Sequence, residues 1–221
     1  MLELFHYVHC PFCVRVRMAL GLLRLPYTST VLRYDDEVTP VQLTGKKMLP
    51  IMKFPDVTIN ESLDIIKKMD CKNSLGFDFL EKVGQEAVDE WLKKLGAPIH
   101  NLCMPYWVWT PEFDQHSRQY FENKKSAKRG PFVQLARQRS QFESELWPLL
   151  GELEGELMPF FKNDKMTIVD LMLAAHLWGL YVLPEFRFSD KLHIYLQSIK
   201  KLCEFNYHSA DYWRHQDINR T

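Results

Sequence analysis

The stretch Leu2-Glu3-Leu4-Phe5-His6-Tyr7-Val8-His9-Cys10-Pro11-Phe12-Cys13-Val14 decides the fold. Residues 2–8 are a short apolar and aromatic run, the pattern of a buried strand. A turn follows from His9 to Cys13. The apolar run from Val14 to Leu23 then suits a helix, broken by Pro26. Working outward, Tyr27-Thr28-Ser29-Thr30-Val31-Leu32 is β-branched and strand-like. A short helical candidate, Thr39 to Leu43, leads to Gly45. Ile51 to Phe54 and Val57 to Asn60, joined by Pro55-Asp56, read as a hairpin. Ser62 to Met69 closes the segment as a helix. The order β-α-β-α-β-β-α is an α/β unit with a mixed four-stranded sheet, assigned to residues 1–70.

Beyond Asp70 the pattern changes. Residues 71–84 have no sustained period and hold Gly76 and Gly84, so they are assigned as a linker. From 85 to 221 no strand run is found. Val88, Trp91, Leu92 and Leu95 recur at helical spacing, as do Leu146, Leu149, Leu150, Leu153 and Leu157. Leu192, Tyr195, Leu196, Ile199, Leu202 and Cys203 do so most cleanly. The expected architecture is therefore α/β followed by an all-α helical bundle. Thr167-Ile168-Val169-Asp170 reads as a capping box that fixes the start of a central helix, a structural role rather than a catalytic one.

Composition removes several classes of function. The 221 residues carry 28 basic and 28 acidic side chains, with 46% hydrophobic and 25% charged. So apolar and evenly charged a chain is not expected to be disordered. A formal charge of zero argues against a nucleic-acid partner. The longest apolar run, Leu171 to Leu183, is interrupted by His176 and falls short of the roughly 18 residues a membrane span needs. It reads as a buried helix, and no membrane partner is expected. Cys10, Cys13, Cys71, Cys103 and Cys203 are an odd number, and Glu3 stands where a signal peptide would be basic. No disulfide framework is expected, and the cytosol is the expected compartment.

In that compartment Cys10-Pro11-Phe12-Cys13 reads as redox or metal chemistry. A closed zinc site needs four ligands and no second pair follows, so redox chemistry is favoured and no metal is expected. At a strand–helix turn Cys10 takes the N-cap, where unsatisfied N–H groups and the helix dipole favour a thiolate. Pro11 suits the first helical position. Cys13 lies on the same face, so one thiol attacks and the other resolves the mixed disulfide. Leu49-Pro50 is a second marker: a proline opening a strand suits a strand end, and a cis bond there would free the Leu49 main chain to pair with an extended peptide. Glu61-Ser62 is a third. Two readings stand: Ser62 as an ordinary helix cap, or a helix N-terminus for a carboxylate with Glu61 for an ammonium.

Together these motifs resemble a glutaredoxin-type thioredoxin fold. The helical continuation, with its Thr-x-x-Asp box, resembles glutathione transferases. Both features together resemble the long bacterial glutaredoxin 2 family. The resemblance implies Cys10 as nucleophile, Cys13 as resolving thiol, Pro50 as a cis-proline, Leu49 pairing with the cysteine of glutathione, and Glu61 and Ser62 holding its γ-glutamyl end. It implies a monomeric, cytosolic, glutathione-dependent reductase of protein disulfides and glutathione mixed disulfides. The competing activities are a glutathione transferase or dehydroascorbate reductase using Cys10, and a non-catalytic glutathione or iron–sulfur binding module. Other signals are weaker. His9 beside Cys10 reads either as a modulator of the thiolate or as a turn histidine with no catalytic part. Arg15 and Arg17 either add positive potential or face solvent, Lys47 is a solvated lysine, and Lys124 to Arg129 is a solvated loop.

Overall fold

The computed structural model describes residues 1–206. The assigned helical segment runs to 221, and its residues 207–221 lie outside the described ones. The N-terminal part runs β1 (Leu2–His6), α1 (Pro11–Leu22), β2 (Tyr27–Val31), α2 (Val38–Thr44), β3 (Ile51–Lys53), β4 (Thr58–Ile59) and α3 (Ser62–Met69). The sheet order is β2-β1-β3-β4. β1 pairs with β2 in parallel, Leu4 opposite Ser29, and with β3 antiparallel, Phe5 opposite Ile51. This is the expected thioredoxin-like mixed sheet. Leu4, Ile51 and Met52 are fully buried in it, and Val14, Met18 and Leu20 of α1 are buried with them. Leu49–Pro50, at the entry to β3, is a cis bond.

The rest is helical: α4 (Phe77–Val83), α5 (Gln85–Trp107), α6 (Gln115–Arg129), α7 (Phe132–Arg137), α8 (Arg139–Gly155), α9 (Ile168–Leu177) and α10 (Asp190–Leu202). A 3-10 turn, Trp178–Val182, follows α9. Among the described residues, no helix is long and apolar enough to cross a membrane. The structure adds a helix within the stretch assigned as a linker and corrects the reading of the Lys124 to Arg129 stretch. The stretch assigned as a linker contains α4, which buries Leu80, packs Phe77, Phe79 and Val83 against the core, and is bounded by Gly76 and Gly84. Lys124 to Arg129 is the end of α6, not a loop. Asp114 caps that helix by accepting from the Ser117 N–H at 2.8 Å, and Ser117 and Phe121 bury its inner face.

Every residue of α9 is buried. The helix packs on α1, α5 and α10, joining the sheet-bearing part to the helical part. At about 1.5–3 kcal/mol for each large apolar side chain removed from water, this helix is a main source of cohesion. The capping box fixes its start. Asp170 accepts from the Thr167 N–H at 2.7 Å, and Thr167 Oγ1 accepts from the Val169 N–H at 3.3 Å. Asp170 also accepts from Phe161 N–H at 2.8 Å and from the Tyr195 hydroxyl at 3.0 Å. The box thus ties a neighbouring loop and α10 to the start of α9.

Candidate active site

Cys10 is the N-cap of α1, in extended backbone with φ −74° and ψ 122°, and Pro11 opens the helix. The Val14 N–H donates to the Cys10 carbonyl at 2.9 Å, closing the first turn. Cys13 lies one turn in and is fully buried, with the Tyr7 N–H donating to its sulfur at 3.4 Å. The two sulfurs divide the work electrostatically. A hydrogen bond from the Cys13 thiol is the main reason the Cys10 thiol is pushed down to about 6. Burial opposes this, and the His9 charge and the Cys13 and Phe12 N–H groups reinforce it. Cys13 is pushed up, by burial first and by Cys10 second. One sulfur is therefore a thiolate near neutrality while the other keeps its proton.

Beside α1 lies a cleft of about 760 Å³. Phe12, Arg15, Glu61 and Ser62 form one wall, and Asp89 and His100 of α5 stand among the residues of the other. Leu49 and Pro50 are outside these walls, at the entry to β3. Glu61, not Ser62, is the N-cap of α3, and it makes no side-chain capping bond. The reading of Ser62 as an ordinary cap is therefore overturned. Ser62 is buried, and its hydroxyl accepts from Arg15 Nε at 2.9 Å and Nη2 at 2.5 Å.

Arg15 and Arg17 do not face solvent; each is only 5% exposed. Burial pushes the Arg15 guanidinium down to about 10, with Cys10, Asp89 and Glu61 pulling it back. It still carries its charge at neutral pH. Phe12 is half exposed, with the Arg15 guanidinium 4.7 Å from its ring centre and His176 edge-on to it.

Lys47 is not a solvated lysine either. It donates to Glu37 and to the Tyr120 hydroxyl, both at 3.2 Å, and sits 4.4 Å from the Tyr120 ring centre. His9, for which both a modulating and a plain turn role stood open, is buried and paired with Glu112 at 2.5 Å. No sequence signal marked that pair, because its members are 103 residues apart.

The model of the glutaredoxin 2 C-terminal domain matches residues 87–210. The chain belongs to the glutaredoxin 2 family. The N-terminal domain of glutathione S-transferases matches residues 4–75, consistent with the family's thioredoxin-like first part. Glutaredoxin 2 of Escherichia coli K12 is 28% identical over 211 residues, covering 93% of this chain and 97% of that protein. The crystal structure of glutaredoxin 2 from Salmonella typhimurium in complex with glutathione superposes with a TM-score of 0.82 at 29% identity, covering 94% of this chain and 96% of that one. A glutathione S-transferase of Ceriporiopsis subvermispora, with a TM-score of 0.72 at 15% identity over 94% of this chain and 98% of its own, shares the fold.

Proposed function

We propose that this member of the glutaredoxin 2 family is a glutathione-dependent dithiol oxidoreductase, with a thioredoxin-like domain over 1–70 and a helical domain over 85–221. The observation that carries the reading is the placement of Cys10 at the N-cap of α1 with buried Cys13 behind it, one thiol pushed down and the other up. The Cys10 thiolate attacks one sulfur of a disulfide. That S–S bond breaks, a mixed disulfide with Cys10 forms, and the other sulfur leaves as a thiolate that takes up a proton. Cys13 then loses its proton and attacks the Cys10 sulfur, breaking the mixed disulfide, releasing the remaining substrate thiol and leaving a Cys10–Cys13 disulfide for glutathione to reduce. Where the mixed disulfide is with glutathione, a second glutathione thiolate attacks the glutathione sulfur instead, so that glutathione disulfide forms and the Cys10 thiolate leaves. Two glutathione thiols, oxidised to one disulfide, supply the electrons for each disulfide reduced.

Glutathione is the co-substrate, held in the cleft beside α1. Its γ-glutamyl end carries a carboxylate and an ammonium. Ser62 accepts from Arg15 through its lone pairs, so its own proton is free to donate to that carboxylate, with the Arg15 charge behind it. Glu61 takes the ammonium. The Leu49 main chain before cis Pro50 pairs with the cysteinyl unit. Protein disulfides and glutathionylated proteins are the oxidised partners, and the enzyme works in the cytosol. It acts as a monomer.

The test is turnover of a small glutathione mixed disulfide and of a protein disulfide by wild type, Cys10→Ser and Cys13→Ser. Cys10→Ser should lose both activities. Cys13→Ser should keep the first and lose the second. Activity surviving in Cys10→Ser overturns the assignment.

A further inference from the structure

We propose that Glu112 is a positioning residue for the redox centre: through His9 it anchors the active-site turn and holds the His9 ring, as a donor to its carboxylate, beside the Cys10 thiolate. This rests on Cys10 being the attacking thiol. Glu112 lies in the connection between α5 and α6, yet its side chain is fully enclosed against the turn before α1. One oxygen, Oε1, accepts from the His9 backbone N–H at 3.0 Å and from Nδ1 of the same residue at 2.5 Å. The Glu112 carbonyl accepts from the Tyr34 N–H at 3.0 Å. The helical part thus grips the residue preceding the nucleophile by both its main chain and its ring.

A buried carboxylate is costly unless a cation answers it. Oε2 of Glu112 is buried with no hydrogen-bond partner among the described residues, so hydrogen bonds to these alone do not balance the charge. Burial works to raise the Glu112 carboxyl. The His9 hydrogen bond, its positive charge and its backbone N–H more than offset this and hold the group below the usual range. An ionised carboxylate only accepts, so Nδ1 must carry a proton and the ring's orientation is fixed. The ring cannot swing away, because Tyr7, Tyr34, Trp107, Phe113 and Phe121 enclose it at centroid distances from 5.3 to 5.7 Å.

The groups facing Cys10 come from several elements. Cys13 and Arg15 lie on α1, Tyr7 follows β1, Tyr34 follows β2, and Lys125 lies on α6. Tyr7 and Tyr34 are both pushed up by burial and stay neutral. Arg15 and Lys125 are unaffected by changes at Glu112 in this scheme. The sign of the effect is therefore diagnostic. Acting directly, the Glu112 anion disfavours a nearby thiolate, so neutralising it would make Cys10 more acidic. Acting through His9 it does the opposite.

The experiment follows Cys10 alkylation by iodoacetamide against pH in the full-length reduced protein. Peptides are resolved by mass spectrometry so that the exposed Cys71 is not counted. Glu112→Gln should raise the midpoint by roughly one pH unit, about tenfold slower reaction on the acid limb, with the KM for glutathione unchanged. His9→Gln should raise it equally, and the double variant no further. An unchanged or lowered midpoint in Glu112→Gln, or additive shifts in the double variant, overturns the proposal. Should Glu112→Gln fail to fold, the uncharged double variant decides, and a wild-type midpoint there overturns it. The profile is independent of turnover, so a failure of Cys10 as nucleophile would show separately, as activity in Cys10→Ser.

Discussion

At the scale of single residues, the nucleophile was legible because its chemistry is local. Cys10, Pro11 and Cys13 are adjacent in sequence, and a strand before them and a helix after them suffice to place a thiolate at an N-cap. The pH dependence follows from the direction of the shift. Cys10 is an acid pushed down to about 6, so its thiolate fraction, and with it the alkylation rate, should climb with pH through that value. It should level off before neutrality, and a midpoint near the ordinary thiol range of about 8.5 would contradict the geometry. Arg15, by contrast, was not legible. Whether an arginine on α1 meets solvent or Ser62 depends on where α3 packs, which the periodicity of α1 does not contain. Ser62→Ala should leave the buried Arg15 Nε and Nη2 without their acceptor and remove the proposed glutathione contact. The KM for glutathione should then rise by an amount worth about 1–3 kcal/mol, with Cys10 alkylation nearly unchanged. If glutathione kinetics do not respond, the serine serves only to satisfy Arg15.

At the scale of elements, sequence spacing read the apolar helices and misread the polar one. Lys124 to Arg129 looks like a loop because its charges dominate. Two signals upstream, the Asp114 cap and the buried Phe121, make it the end of a helix. α4 was missed for a different reason: at seven residues between Gly76 and Gly84, its apolar positions Phe77, Leu80 and Val83 make too short a run to register as a period. The Thr167–Asp170 box was legible because both its partners sit within one turn. What the sequence could not show is that Asp170 also serves Phe161 and Tyr195. Thr167→Ala should therefore cost about 0.5–2 kcal/mol of stability, the ordinary loss of a cap. Asp170→Ala should cost more, because three elements lose one shared acceptor. Thermal unfolding of the two variants side by side checks this ranking. Equal losses would mean that the bonds to Phe161 and Tyr195 add nothing.

At the scale of the whole molecule, the two-part architecture was legible from the change of period after Asp70, but the fit between the parts was not. That fit depends on how closely α1 approaches the end of α10, and one glycine sets it. A Cβ built on Gly21 would stand 1.8 Å from the Cys203 carbonyl oxygen and 3.0 Å from its carbonyl carbon. Both contacts are backbone, so no side chain can rotate away. In an exposed helix interior, glycine to alanine gains about 0.5–1 kcal/mol of helical stability. At Gly21 that gain is outweighed, since overpacking a tight contact costs typically about 1–3 kcal/mol and occasionally more. Gly21→Ala should therefore lower the melting temperature. Gly151 on α8 supplies the control, because a Cβ there meets nothing within 4 Å among the described residues. Gly151→Ala should hold or raise the melting temperature through helix propensity alone. The two substitutions are chemically identical and both lie within helices, so opposite signs can come only from what lies above the Cα. If Gly21→Ala melts with wild type, α1 and the end of α10 are not in close contact, and the packing of the sheet-bearing part on the helical part would have to be redrawn.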